Sequence, residues 1–296
     1  MSAAVTRGTT PTPLRYACQE KLVPGATDDE RTALARELGF DGIEINARLE
    51  NPLAARAASL RAALGKSGCA AAAVCGGYRG WLGHFDPELR ALAVRDIKAL
   101  LPVVAELGAH GIIVPAAYGM FSRKLPPFTP PRGEAEDRAA LVDSLGAVGE
   151  EALRCGVAVY LEPLNRYEDH MVNTLAQAGE LAAALESGAV YSMIDCFHAS
   201  LEEVDCAGAI RDAAAAPGGR RAARHVHLAD SNRLEPGAGH VDFRSILAAL
   251  RDTGFSGFCS FECELSGPAP AALSRSVAFL RQLEAGIAAA SPKKHA

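Results

Sequence analysis

Eight short apolar runs, each followed by a longer stretch rich in Ala and Leu, constrain this chain more than any other feature. The runs are RYACQ (15–19), DGIEIN (41–46), CAAAAVC (69–75), GIIVPAA (111–117), AVYLEPL (158–164), VYSMIDCFH (190–198), HVHLAD (225–230) and GFCSFECEL (257–265). Their length and composition suit buried strands, whereas DDERTALAREL, PELRALAVRDIKALLPVVAEL and DRAALVDSLGAVGEEALRC carry apolar residues at helical spacing. In the last of these, Leu141, Leu145, Val148 and Leu153 are expected to form the buried stripe. Asp86, and Asn173 or Thr174, stand where side chains cap helices. Glycine closes several helices just before the next strand, in ELGF, ELGAHG, RCGVAV and DTGFSG.

Strict alternation of strand and helix implies a parallel sheet, because parallel neighbours need a crossover between them. Eight such units predict a single-domain (β/α)8 TIM barrel of the α/β class, and 296 residues are enough to build it. No GxGxxG follows the first strand, which removes the main argument for an open dinucleotide-binding sheet. The expected organisation is a flexible extension over residues 1–14, the barrel over 15–290 and a disordered tail over 291–296. The Pro-rich stretch LPPFTPPRG (125–133) follows the fourth strand and is expected to be a surface loop or a lid over the barrel mouth.

A hydrophobic fraction of 49% and a charged fraction of 22% are ordinary for a globular domain. The net charge of −5, with Lys and Arg scattered, argues against nucleic acid, whose binding needs clustered positive charge. The N-terminal residues contain no apolar core of signal-peptide length, and no run of about 18 apolar residues exists to span a membrane. A cytoplasmic location without membrane attachment is the resulting expectation. The eight cysteines include no CxxC pair, so reduced, buried thiols are expected rather than disulfides or a structural zinc site.

Polar residues gather at the ends of strands five to eight: Glu162, Asp195, His227 and Glu262. Neighbouring barrel strands lie about 4.8 Å apart, so four consecutive strand ends can converge on one point. Three carboxylates crowded there would repel one another, and a divalent cation would satisfy all of them together. Oxygen-rich ligation with one imidazole suits Mn²⁺, Mg²⁺ or Co²⁺, with Mn²⁺ preferred here.

The stretches LEPLNRYEDHMVNT, IDCFHASLEE, HVHLADSNRLEPGAGHVDF and FECEL resemble the xylose-isomerase-like barrel superfamily. Within it the chain is most similar to the ketose 3-epimerases (D-tagatose and D-psicose 3-epimerases) and the hydroxypyruvate isomerases, over roughly residues 15 to 285. The resemblance implies that Glu162, Asp195, His227 and Glu262 are metal ligands and that Glu162 and Glu262 double as the acid/base pair. It implies substrate contacts for His198, Arg233 and Glu168, the last of which would otherwise pair with Arg166. The implied activity is epimerisation or isomerisation of a small unphosphorylated ketose through an enediolate, at C3 by preference, in a homodimer or homotetramer. Two alternatives stand beside it: a lyase or dehydratase of the superfamily acting on an oxidised sugar, of the inosose dehydratase or C-glycoside deglycosidase type, and a non-catalytic sugar-binding barrel. The superfamily's DNA-repair endonucleases need further histidines at strands three and four, which here end in VCGGY and VPAAY. In VCGGYRGWLGHF, Tyr78, Arg79 and Trp81 are expected to line the pocket. Glu44 either faces that pocket or simply ends the second strand.

Overall fold

The structure, a computed structural model, describes residues 13–185, 187–219 and 221–290. The expectations for residues 1–12 and 291–296 lie outside that range. Nine strands form one sheet: β1 Arg15–Gln19, β2 Gly42–Ala47, β3 Ala70–Gly76, β4 Gly111–Pro115, β5 Ala158–Glu162, β6 Val190–Ser192, β7 Ile194–Asp195, β8 Val226–Leu228 and β9 Phe258–Phe261. All pair in parallel, in the order β6-β5-β4-β3-β2-β1-β9-β8-β7. The two ends of that order, β6 and β7, are halves of one barrel strand interrupted at Met193. The Met193 N–H still donates to Leu161 O at 3.2 Å on the β5 side, and the Ile194 N–H donates to His225 O at 3.3 Å on the β8 side. Eight barrel positions therefore close on themselves as a single-domain (β/α)8 barrel.

The helices are α1 Asp28–Glu37, α2 Leu53–Ser67, α3 Pro87–Glu106, α4 Glu134–Cys155, α5 Leu175–Ala184, α6 Cys196–Glu202, α7 Cys206–Ala215, α8 Phe243–Asp252 and α9 Ala269–Ala290. Their starts follow the capping chemistry. The Glu88 N–H donates to Asp86 Oδ1 at 2.8 Å ahead of α3, with Pro87 in the first turn. Thr174, not Asn173, caps α5 in a reciprocal box with Gln177. Gly156 ends α4 at φ 69°, a left-handed conformation in which a side chain would be strained.

Two expectations need correction. In α4 the buried stripe is Leu141, Leu145, Val148 and Ala152, while Leu153 is 61% exposed. Five residues separate 148 from 153, which turns Leu153 about 140° away from the stripe at about 100° per residue. The run VYSMIDCFH is a strand only as far as Asp195. The Asp195 carboxylate accepts the Phe197 N–H at 2.7 Å and the His198 N–H at 3.2 Å, and this cap converts the remaining residues into α6. That short helix raises the total to nine among the described residues.

The main core lies between sheet and helices, with Ile97, Leu101, Val104, Leu145, Val148, Leu247 and Leu280 buried against the outward faces of the strands. Inside the barrel, Ala73, Ile113, Tyr160 and Met193 pack together midway along the strands. All eight cysteines are free thiols, and burial pushes Cys18, Cys75 and Cys196 well above the ordinary thiol range. The segment 116–133 is a loop that Arg132 ties down by donating to Gly83 O and His84 O and pairing with Asp137. Among the described residues, no helix is long and apolar enough to cross a membrane.

Candidate metal and substrate site

The register of the parallel strands brings the predicted residues to one level of the barrel. Asp195 is the Cα partner of His227, and Glu162 ends β5 while Glu262 follows β9 directly. Each of these four side chains offers one ligand atom within 4.8 Å of the others. His227 Nδ1 lies 2.9 Å from Glu162 Oε1, 3.0 Å from Glu262 Oε2 and 3.8 Å from Asp195 Oδ2. Burial would carry the imidazole down, but Glu44, Glu262 and Glu162 hold it well above its ordinary range. Burial pushes Glu162 up, with Glu262 and Asp195 adding to it against the pull of His227. Burial acts the same way on Glu262, yet His227 and Arg233 carry that carboxyl below its ordinary range.

Three clustered carboxylates face one imidazole nitrogen, and this donor set fits a divalent cation. The other side of His227 fits it as well. Nε2 lies 3.1 and 3.2 Å from the two oxygens of Glu44, which hold its proton there and would leave Nδ1 to ligate once an ion displaces the second proton. A carboxylate behind a ligating histidine fixes its tautomer and raises its basicity. Glu44 is itself fully buried. It also lies 2.9 Å from His225 Nε2 and accepts the Gln19 amide at 2.8 Å. Burial pushes its carboxyl up, and the two histidines more than offset this, leaving it well below the carboxylate range. Gln19 Nε2 also donates to Glu262 Oε1 at 2.8 Å, while its own Oε1 is buried without a partner.

Above these residues opens a cavity of 410 Å³, whose lining includes Glu162, Glu262, His198, Arg233 and Glu168. Asn165 determines how His198 faces it. The Asn165 backbone N–H and side-chain amide lie 3.2 and 2.9 Å from His198 Nδ1, and the amide is oriented by Tyr167 N–H on its oxygen and by Glu168 on its nitrogen. With two N–H groups at Nδ1, the ring proton sits on Nε2. Nε2 is 3.2 Å from Arg233 Nη1, so two donors stand side by side at the cavity wall. Arg233 also donates to Asp195 at 3.3 Å and Glu262 at 3.2 Å, and its guanidinium lies 4.7 Å from the centroid of the Phe197 ring. Its backbone is left-handed at φ 64°, a costly conformation for a non-glycine residue. The loop that imposes it is organised by Asp230, whose carboxylate accepts the N–H groups of Ser231, Gly237 and Val241.

Glu168 lines the cavity and is not a partner of Arg166, which instead grips Glu202 at 2.8 and 2.9 Å. Tyr78 and Trp81 line it too, joined edge-to-face at 5.9 Å, but Arg79 turns away to Asp96 at 2.8 Å. Tyr118, which sequence reasoning missed, extends the aromatic wall at 6.1 Å from Trp81. It sits in a loop, where no periodicity marks direction. Gln19, His225 and the placement of Glu44 were likewise unassigned. The signal available for them was that Gln19 and Glu44 are polar residues in otherwise apolar strands.

A family model described as the xylose isomerase-like TIM barrel matches residues 32–283. The chain is 39% identical over 253 residues to the 3-dehydro-D-guloside 4-epimerase of Escherichia coli (strain K12), covering 85% of this chain and 93% of that protein. It is 32% identical over 252 residues to the ketose 3-epimerase of Arthrobacter globiformis, covering 84% of this chain and 81% of that one. Among solved structures, the apo 3-keto-D-glucoside 4-epimerase from E. coli aligns with a TM-score of 0.84 at 37% identity, covering 91% of this chain and all of the other. These relatives are sugar 3- or 4-epimerases.

Proposed function

Because the chain belongs to the xylose isomerase-like TIM barrel family, we propose that it is a divalent-metal-dependent epimerase that inverts a carbon next to the ketone of a keto sugar. The observation that carries this reading is the pair Glu162 and Glu262. They approach one imidazole nitrogen at 2.9 and 3.0 Å and both line the cavity that also holds His198 and Arg233. Glu162, Asp195, His227 and Glu262 would hold the ion, and their oxygen-rich set favours Mn²⁺. When bound, such an ion supplies Lewis-acid charge that stabilises the enediolate oxygens.

The side chains supply the rest of the chemistry. One of Glu162 and Glu262 removes the proton beside the ketone and the other returns one to the opposite face, which inverts the centre. Arg233 and His198 Nε2–H donate to the oxygens on which negative charge develops. Glu168, held by Asn165, accepts from a hydroxyl farther along the sugar. Tyr78, Trp81 and Tyr118 present ring faces and edges to C–H groups and keep water from the reacting carbon.

For the substrate, the favoured reading is inversion at C4 of a 3-keto glycoside. It is supported by 39% identity across most of a 4-epimerase and by the aromatic wall beyond the acid/base pair, which suits an aglycone. Inversion at C3 of an unphosphorylated ketose is the second reading, supported by the strand-end motifs and by the likeness to a ketose 3-epimerase. The test incubates the protein and Mn²⁺ in heavy water with methyl 3-keto-glucoside, and separately with D-fructose, and follows products by NMR. Epimerisation with one deuterium at the inverted carbon is expected. Elimination to an unsaturated ketone, or no turnover of either sugar, would overturn the proposal.

A further inference from the structure

The end of the barrel opposite the metal-ligand cluster holds a second cavity, also of 410 Å³. Its lining comes from the first residues of the strands and from the turns before them, including Arg15, His110, Tyr160, Tyr191 and Arg224. Barrel interiors are ordinarily closed here by layers of branched side chains. In this chain the corresponding residues include Gly111 and Ala158, which leave space beside the buried Phe258 ring. Tyr160 enters from the layer above, and a side chain at Gly111 would sit 2.9 Å from its ring. The Tyr160 ring stacks on His225 at 5.2 Å, and the buried His225 and Glu44 link it to His227 of the metal-ligand cluster.

The charge of the lining is one-sided. Among the described residues, no Asp or Glu lines the cavity, although the chain carries 35 acidic residues and a net charge of −5. Arg15 lies over the Phe258 ring at 4.1 Å, and its N–H donates to Ser256 O. Arg224 lies 5.4 Å from the centroid of Tyr191, and His110 meets Phe258 edge-on at 5.2 Å. Stacking on aromatic rings holds these cations in place without neutralising them. Neither Arg15 nor Arg224 forms an ion pair with a carboxylate among the described residues. Burial, with Arg15 beside it, pushes His110 below its ordinary range, as expected for an imidazole sharing a cationic pocket.

We propose that this basal cavity is a binding site for a phosphoryl dianion, either inorganic phosphate or the phosphate of a small monoester, gripped by Arg15 and Arg224. Planar guanidinium forks match phosphoryl oxygens in pairs, and the hydroxyls of Tyr160 and Tyr191 and the His110 ring are further donors in the same lining. The site is distinct from the cavity that would take the neutral sugar, and its ligand is not that substrate.

The test titrates the Mg²⁺-loaded full chain at constant ionic strength with inorganic phosphate, glucose 6-phosphate or chloride, by calorimetry and by the NMR signal of the His110 ring. Saturable binding of phosphate or of the ester is expected, with a shift of the His110 signal and none from chloride. Tighter binding of phosphate identifies the free ion as the source; tighter binding of the ester identifies a metabolite. The Arg15→Gln/Arg224→Gln variant should bind at least tenfold more weakly while keeping its affinity for Mn²⁺. Arg224→Gln alone, at an exposed residue, should show part of that loss with an unchanged melting temperature. Absence of saturable binding, or equal binding by the double variant, would overturn the proposal.

Discussion

Replacing Asp169 by Asn should remove a pH-dependent instability from the loop that carries Glu168. Asp169 is 1% exposed, and its Oδ2 accepts the Val172 N–H at 3.1 Å. Its Oδ1 has no partner and lies 3.7 Å from His170 Nδ1, which has none either. His170 Nε2 is 3.0 Å from Asp137 Oδ2 and holds its proton there, so two acceptors face each other across the gap. Burial pushes His170 down and pushes the Asp169 carboxyl up to about 7, the N–H groups of Val172, His170 and Met171 offsetting only part of that rise. The unfolded carboxyl titrates at its ordinary 3.8, so between there and about 7 the folded chain binds the extra proton. The stabilisation is complete below the unfolded value and is lost as pH rises through the folded one. At about 1.4 kcal/mol per pH unit the whole window is worth about 4 kcal/mol, of which about 3 kcal/mol falls between pH 5 and 7. Asn keeps the acceptor for Val172 and offers Nδ2 to His170. In urea titrations, the stability of Asp169→Asn relative to wild type should therefore rise by about 3 kcal/mol between pH 5 and 8, other groups cancelling in the difference. A difference that stays constant with pH, or that moves against the variant, would refute the reasoning.

Other perturbations follow from the site. Glu44→Gln removes the charge behind His227, and Mn²⁺ affinity measured by calorimetry should fall about 10- to 100-fold; unchanged affinity would mean that Glu44 does not support the ligand. Trp81→Ala should lower kcat/KM at least tenfold for an aryl 3-keto glycoside and much less for the methyl glycoside, since only the former carries an aromatic aglycone that can stack on the Trp81 ring. Equal losses for both would place the aglycone elsewhere. Glu162→Gln and Glu262→Gln, assayed at saturating Mn²⁺, should each abolish deuterium exchange at the reacting carbon, and exchange at the wild-type rate in either variant would remove that residue from the acid/base pair.

The barrel was legible because strand and helix periods alternate without interruption, and the convergence of Glu162, Asp195, His227 and Glu262 because each follows an apolar run near the end of its strand. What escaped the sequence depends on contacts between segments far apart in it. Gln19 and Glu44 gain their meaning only through the β1–β2 register that places them side by side, and His225 only through its bond to Glu44. Arg79 sits two residues from Trp81 yet is drawn to Asp96, a helix partner that local spacing does not reveal. Leu153 shows a different limit: an apolar residue near the helical period was assigned to a stripe that Ala152, smaller but correctly phased, occupies. His198 was read as part of a strand run, although the Asp195 carboxylate that precedes it caps a helix.

The most direct measurement is the metal dependence of epimerisation. Protein stripped with a chelator should be inactive on methyl 3-keto-glucoside and should recover activity linearly with added Mn²⁺, reaching a plateau at one ion per chain. The Asp195→Asn and His227→Gln variants should neither take up that ion tightly nor recover. Full activity in the stripped protein, or recovery unaffected by loss of Asp195 and His227, would contradict the assignment of the strand-end cluster as the metal site of an epimerase.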